Sequence, residues 1–176
     1  PYMGWIPLIV AFGLLFAINK MRNSVWGIAL VFAFTGILGF SLGPILNFHM
    51  QSAGGTQVVV TALALTGMIF FSLSGYVLTT KKDFSYMSGF VRTGMWVVIG
   101  SIVLLFVGNM MGWEISGLHL AISAAIVILM SGFILFDTSR IINGGETNYV
   151  MATVSLYLSI FNLFTALLHL VGFSSD

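Results

Sequence analysis

Six long apolar runs separated by short polar connectors make up the chain. The runs fall at residues 2–18, 25–46, 56–78, 91–111, 115–137 and 149–173. A bilayer core of about 30 Å is crossed by about 20 helical residues, so each run reads as a membrane-spanning α-helix. The connectors at 19–23, 47–55, 81–83, 112–114 and 143–146 hold the turn-forming and charged residues. The last run differs from the others. Its small and polar positions, Ser155, Ser159, Asn162, Ala166 and His169, recur at helical spacing and form one stripe among Leu, Ile, Val and Phe. Hydrocarbon offers a hydroxyl or an amide no partner, so this stripe is expected to face other helices, with the last run at or near the bundle centre. The preceding run ends in Asp137, and an ionisable group in such a place is a candidate functional residue.

Composition turns this pattern into a class. Of 176 residues, 59% are hydrophobic and 6% charged, and the mean hydropathy is +1.08, whereas soluble domains are about a quarter charged. The chain is expected to be an all-α polytopic membrane protein forming a single transmembrane domain over 1–176. A net charge of +1 provides no extended basic face for nucleic acid. The absence of cysteine excludes disulfides and thiolate metal sites. No basic stretch leads into a cleavable apolar segment, so no signal peptide is expected, and the missing initiator methionine implies a natural start upstream of Pro1.

Lys20, Arg22, Lys81, Lys82, Arg92 and Arg140 all fall in or beside the first, third and fifth connectors. The positive-inside rule then puts those connectors in the cytoplasm, and Pro1, His49, Glu114 and Asp176 on the outer side. A weak repeat accompanies this alternation: segments 13–20, 75–82 and 132–139 align without gaps at the inward ends of runs one, three and five. A repeated two-helix hairpin leaves run one without its partner. A seventh span before Pro1, absent here, is the expectation: three hairpins around one final, central helix.

Gly36, Gly39 and Gly43 are spaced for close helix packing, and Pro44 is expected to end the second helix near the outer surface. Asp137 and Arg140 stand one helical turn apart and could form an ion pair near the interface. His49, His119 and His169 all fall near outer ends. Their spacing contains no His-x-x-x-His pair, so a zinc hydrolase is a weak alternative, and neither metal nor cofactor is expected.

Several segments together resemble the Bax inhibitor family: FTGILGFSLGPIL at 34–46, ALALTGMIF at 62–70, LHLAIS at 118–123, GGETNY at 144–149 and SLYLSIFNLF at 155–164. They are most similar to its bacterial branch, and the resemblance runs over nearly the whole chain. It implies a seven-span inner-membrane bundle that encloses its last helix. It also implies a regulatory and not an enzymatic role: binding and restraining FtsH, a membrane-anchored protease, together with that protease's membrane regulators. Other members of the family act as pH-sensitive calcium leaks, gated by two aspartates that share a proton because both cannot be charged cheaply in one low-dielectric site. Asp137 matches the first of these, but Ser159 stands where the second would be. A two-acid switch is therefore not expected, and Asp137, Ser155, Ser159 and Asn162 are the candidate proton-sensing or pore-lining residues. At 1.5 Å per residue, straight helices put Ser155 level with Asp137, and Ser159 about 7 Å further out.

Overall fold

A computed structural model describes residues 5–51, 54–113, 117–144 and 148–174. Six helices follow one another: α1 (Trp5–Lys20), α2 (Val25–Met50), α3 (Gly55–Thr80), α4 (Ser88–Met110), α5 (Leu118–Ile142) and α6 (Tyr149–Ser174). A short 3-10 turn at Ser85–Met87 leads into α4, and no strand occurs among the described residues. The breaks have local causes. After α3, Lys81 takes a left-handed conformation with φ 55°, and its N–H bonds back to the Val77 carbonyl at 2.8 Å. Before α5, Gly117 has φ 82°, which a side chain would disfavour.

The molecule packs around two apolar clusters. One joins Val58 and Ala62 of α3, Val98 of α4, Leu129 and Ile134 of α5, and Leu163 and Leu168 of α6. The other joins Ala11 and Ile18 of α1, Phe34 and Leu38 of α2, and Val150 and Val154 of α6. Helix α6 contributes to both, and it packs on α1, α2, α3 and α5, with its broadest interface against α5. Helix α4 packs chiefly on α5 and the turn before it.

Outward faces carry Phe12, Phe32, Phe40, Phe71, Trp96 and Phe106, all exposed. Large apolar side chains pointing outward on every side are what a bilayer, and not water, would solvate. Helices α2 to α6 each contain a stretch long and apolar enough to cross a membrane. The sequence suggests six such spans. Helix α1 is described over 16 residues, Trp5–Lys20, short of that length, and residues 2–4 of its run lie outside the described residues.

Two further expectations are corrected. Helix α2 does not stop at Pro44 but continues to Met50 with the proline inside it. The proline removes one backbone bond of a 26-residue helix, and the bonds on either side carry the helix past it. Gly36, Gly39 and Gly43 are exposed, and a Cβ built on any of them meets nothing within 4 Å. The glycine seam of α2 is therefore open, and Phe34 and Leu38 supply the buried contacts of that helix instead.

Candidate functional site

Connectors 21–24 and 81–84 come together with residues 143, 144 and 148 at one end of the bundle, here called the basic end because Lys20, Arg22, Lys81, Lys82 and Arg140 gather there. Asp137 lies two turns inside it on α5 and is 6% exposed. Ser155 of α6 donates its hydroxyl hydrogen to Oδ2 of Asp137 at 2.6 Å. At this length the bond lies within the normal range for O–H···O and ties α6 to α5. The structure therefore brings Asp137 and Ser155 together, as the level of the two residues along straight helices suggests. Arg140 stacks its guanidinium over the Phe136 ring, 5.4 Å from its centroid.

One turn further along α6, Ser159 is 4% exposed and lines a cavity of about 140 Å³ with Ser155 and Asn162, against Met95, Met130 and Phe133. On the other flank of the same stripe, Ser155 and Leu158 border a space of about 470 Å³ beside Phe12, Phe16 and Asn19 of α1. Leu158 and Asn162 border another of about 250 Å³ beside Phe34 and Leu38. The strip Ser155–Leu158–Asn162 is thus flanked by spaces on both its α1 and α4 sides. Ala166 is buried further along, and His169 is exposed near the far end.

Around the carboxylate, hydroxyls and amides knit the basic end. Ser139, fully buried, accepts the Phe84 N–H at 2.7 Å and the Asn143 side-chain amide at 3.3 Å. It donates to Oδ1 of Asp83 at 3.4 Å. One hydrogen and two lone pairs are then all used. Ser74 and Thr138 share a hydrogen bond at 3.3 Å between α3 and α5. Asn148 caps α6 by accepting the Met151 N–H at 3.1 Å, and its amide reaches the Arg22 carbonyl at 3.0 Å and Asn23 Oδ1 at 2.8 Å. Tyr157 donates to the Thr35 carbonyl at 3.2 Å, tying α6 to α2. None of Ser139, Thr138, Asn148 or Tyr157 stands out as a site residue in the sequence. The signal available was the unbroken polar run Asp137-Thr138-Ser139-Arg140 inside an otherwise apolar segment.

At the far end, His119 and His169 line one cavity. The side chain of His49 lies outside the described residues, as do Glu114, Glu146 and Asp176. No group of three or more metal-ligating side chains occurs among the described residues.

Fold and site together define an all-helical, multi-pass membrane protein with a buried carboxylate held between its last two helices. The profile of the family described as "Inhibitor of apoptosis-promoting Bax1" matches residues 1–176, and the chain belongs to this Bax inhibitor family. It is 48% identical over 97% of its length to the modulator of FtsH protease YccA of Escherichia coli strain K12, covering 75% of that protein. An uncharacterized protein of Pseudomonas aeruginosa is 49% identical over 96% of this chain and 73% of its own. An uncharacterized membrane protein of Vibrio cholerae is 45% identical over the whole chain and 77% of its own. The counterpart in Escherichia coli O6:H1 is named an inner membrane protein.

Proposed function

We propose that this protein is a multi-pass inner-membrane regulator that binds the FtsH protease and restrains it. The observation that carries this reading is the 48% identity, over 97% of the chain, to a relative named for modulating that protease. Identity at this level extends through the helices and not only through a motif, so it favours a shared surface as well as a shared fold. The exposed glycine seam of α2 adds a physical argument, because small residues let a second helix approach closely within a bilayer.

The architecture that goes with this reading is a seven-span bundle enclosing α6. The strip Ser155–Leu158–Asn162, with space on both flanks, is the part of α6 that a further helix would cover. In this arrangement the basic end faces the cytoplasm, while Pro1 and the C-terminus lie on the outer side. Because the chain has no cysteine, single cysteines at Ser24 and Met111, the latter exposed, report sidedness directly. An impermeant thiol reagent added outside should label Met111→Cys and spare Ser24→Cys.

A second reading is a calcium leak lined by Asp137, Ser155, Ser159 and Asn162. It is favoured by the buried carboxylate whose serine partner borders two of the cavities.

Affinity purification in a mild detergent that retains FtsH separates these. The first reading expects recovery of the protease with this protein and of this protein with the protease. Failure in both directions would set it aside. For the second, calcium flux through proteoliposomes should change on Asp137→Asn. Flux indifferent to that substitution would remove Asp137 from the path.

A further inference from the structure

Between α4 and α5 runs a groove of about 540 Å³ that plays no part in the reading of FtsH restraint. Ser88, Arg92, Met95 and Ile99 line it from α4 at steps of four, three and four, so they share one face of that helix. Phe133, Phe136 and Arg140 line it from α5 at steps of three and four. Helix α4 leaves the basic end and α5 returns to it. Ser88, Arg92 and Arg140 therefore stand at the basic end of the groove, and Met95, Ile99 and Phe133 further along it. From Ser88 to Ile99 the groove follows α4 for about 16 Å at 1.5 Å per residue, roughly the distance from a membrane surface to the bilayer middle. Met95, Trp96 and Ile99 are exposed, so the groove opens sideways to whatever surrounds the bundle. No acidic side chain is among the described residues that line it. Arg140 stacks on Phe136 and is already engaged within the chain, whereas Arg92 is exposed and makes no hydrogen bond or ion pair with another described residue.

We propose that this groove holds one anionic phospholipid, its phosphate on Arg92 and Ser88 and an acyl chain along Met95, Ile99 and Phe133. The planar guanidinium fork of Arg92 matches two phosphate oxygens at once, and the hydroxyl of Ser88, one turn before it, adds a further donor. Basic pockets between membrane helices are suited to anionic headgroups. A zwitterionic head would bring an ammonium group that finds no carboxylate in this lining. A free phosphate would leave the apolar length of the groove unused, and a wholly apolar chain would leave Arg92 unpaired. The side opening lets a lipid enter from the bilayer without any helix moving. Trp96, one turn further along α4 than Arg92, stands beside the upper part of the acyl chain and reports its arrival.

The test uses the full chain in nanodiscs of phosphatidylcholine, with Trp5, Trp26 and Trp113 replaced by Phe so that Trp96 is the sole tryptophan. Phosphatidylglycerol with brominated acyl chains is added at rising mole fraction, and quenching of Trp96 by the bromines is followed. An occupied groove predicts quenching that saturates at low mole fraction, whereas brominated phosphatidylcholine should quench only in proportion to its share of the bilayer. In Arg92→Gln the apparent affinity for phosphatidylglycerol should fall about tenfold, the weight of one hydrogen-bonded contact to a charged group. In Lys82→Gln, an exposed cation outside the groove, it should not change. Soluble glycerol phosphate should leave the quenching as it is. Quenching by phosphatidylglycerol no stronger than by phosphatidylcholine, equal losses in Arg92→Gln and Lys82→Gln, or displacement by glycerol phosphate overturns the proposal. Native mass spectrometry of the unsubstituted chain keeps the test intact should the tryptophan variant fail to fold. One phosphatidylglycerol should be retained by that chain and lost in Arg92→Gln, and equal retention by the two overturns the proposal as well.

Discussion

The two ends of the bundle are held by different forces. At the basic end the helices are cross-linked by polar side chains: Ser139 to the α3–α4 connector, Ser74 to Thr138, Asn148 to the α1–α2 connector, and Ser155 to Asp137. At the far end α4, α5 and α6 meet around a cavity whose walls are mostly apolar. Within a membrane, apolar packing lacks the hydrophobic drive it has in water, since lipid tails are as apolar as leucine. Directional bonds therefore define the arrangement more sharply than area does. The lesson is that one membrane bundle can be held by directional side-chain bonds at one end and by packing at the other.

Substitutions that spare one end and strain the other sharpen the contrast, and unfolding in mixed micelles with increasing dodecyl sulfate measures each. The largest effects are expected at the basic end. Gly27 is buried at the start of α2, and a Cβ there would lie 2.5 Å from the Met21 carbonyl oxygen. Gly27→Ala must move backbone, and it should destabilise by about 1–3 kcal/mol. Ser139→Ala leaves the Phe84 N–H without its acceptor, at a cost of about 1–3 kcal/mol for an unsatisfied buried group. A loss under half of the lower bound for both would mean that the knot at the basic end holds little.

Next in size is Asn148→Ala, which removes the cap of α6 and the tie to Arg22 and Asn23. Loss of a cap alone typically costs about 1 kcal/mol. Ser155→Ala removes the bond to Asp137 and should cost about 0.6 kcal/mol, the average for hydrogen bonds between membrane helices, with about 1.7 as the ceiling. At the small end stands Gly39→Ala on the open seam of α2, where a Cβ meets nothing within 4 Å. It should leave stability unchanged or raise it by up to about 1 kcal/mol through helix propensity. If the same substitution abolishes recovery of FtsH while stability holds, the seam is the contact surface.

Much of this was legible in the sequence, and the reasons are physical. Apolar length sets the helices; of the stripe on the last run Ser159 and Ala166 are buried, whereas Ser155 and Asn162 are half-buried and His169 is exposed. The pairing of Asp137 with Ser155 follows from the rise per residue once a short connector joins α5 to α6. The knot around Ser139 was not legible, because its partners Phe84 and Asp83 lie more than fifty residues away in a connector that reads as a topology signal. The glycines of α2 misled for a related reason. Spacing shows that a close approach is allowed but not whether a helix sits there, and none of the described residues does. Pro44 misled because a proline removes one backbone bond, and a long helix continues past that loss.

The central functional claim is restraint of FtsH, and a reconstituted reaction tests it most directly. FtsH and a membrane-protein substrate are placed in proteoliposomes, this protein is added at increasing ratio, and substrate loss is followed by gel. The account predicts that degradation slows in proportion to the amount of this protein, down to a floor. An unchanged rate at every ratio, with this protein confirmed in the same vesicles, would contradict it.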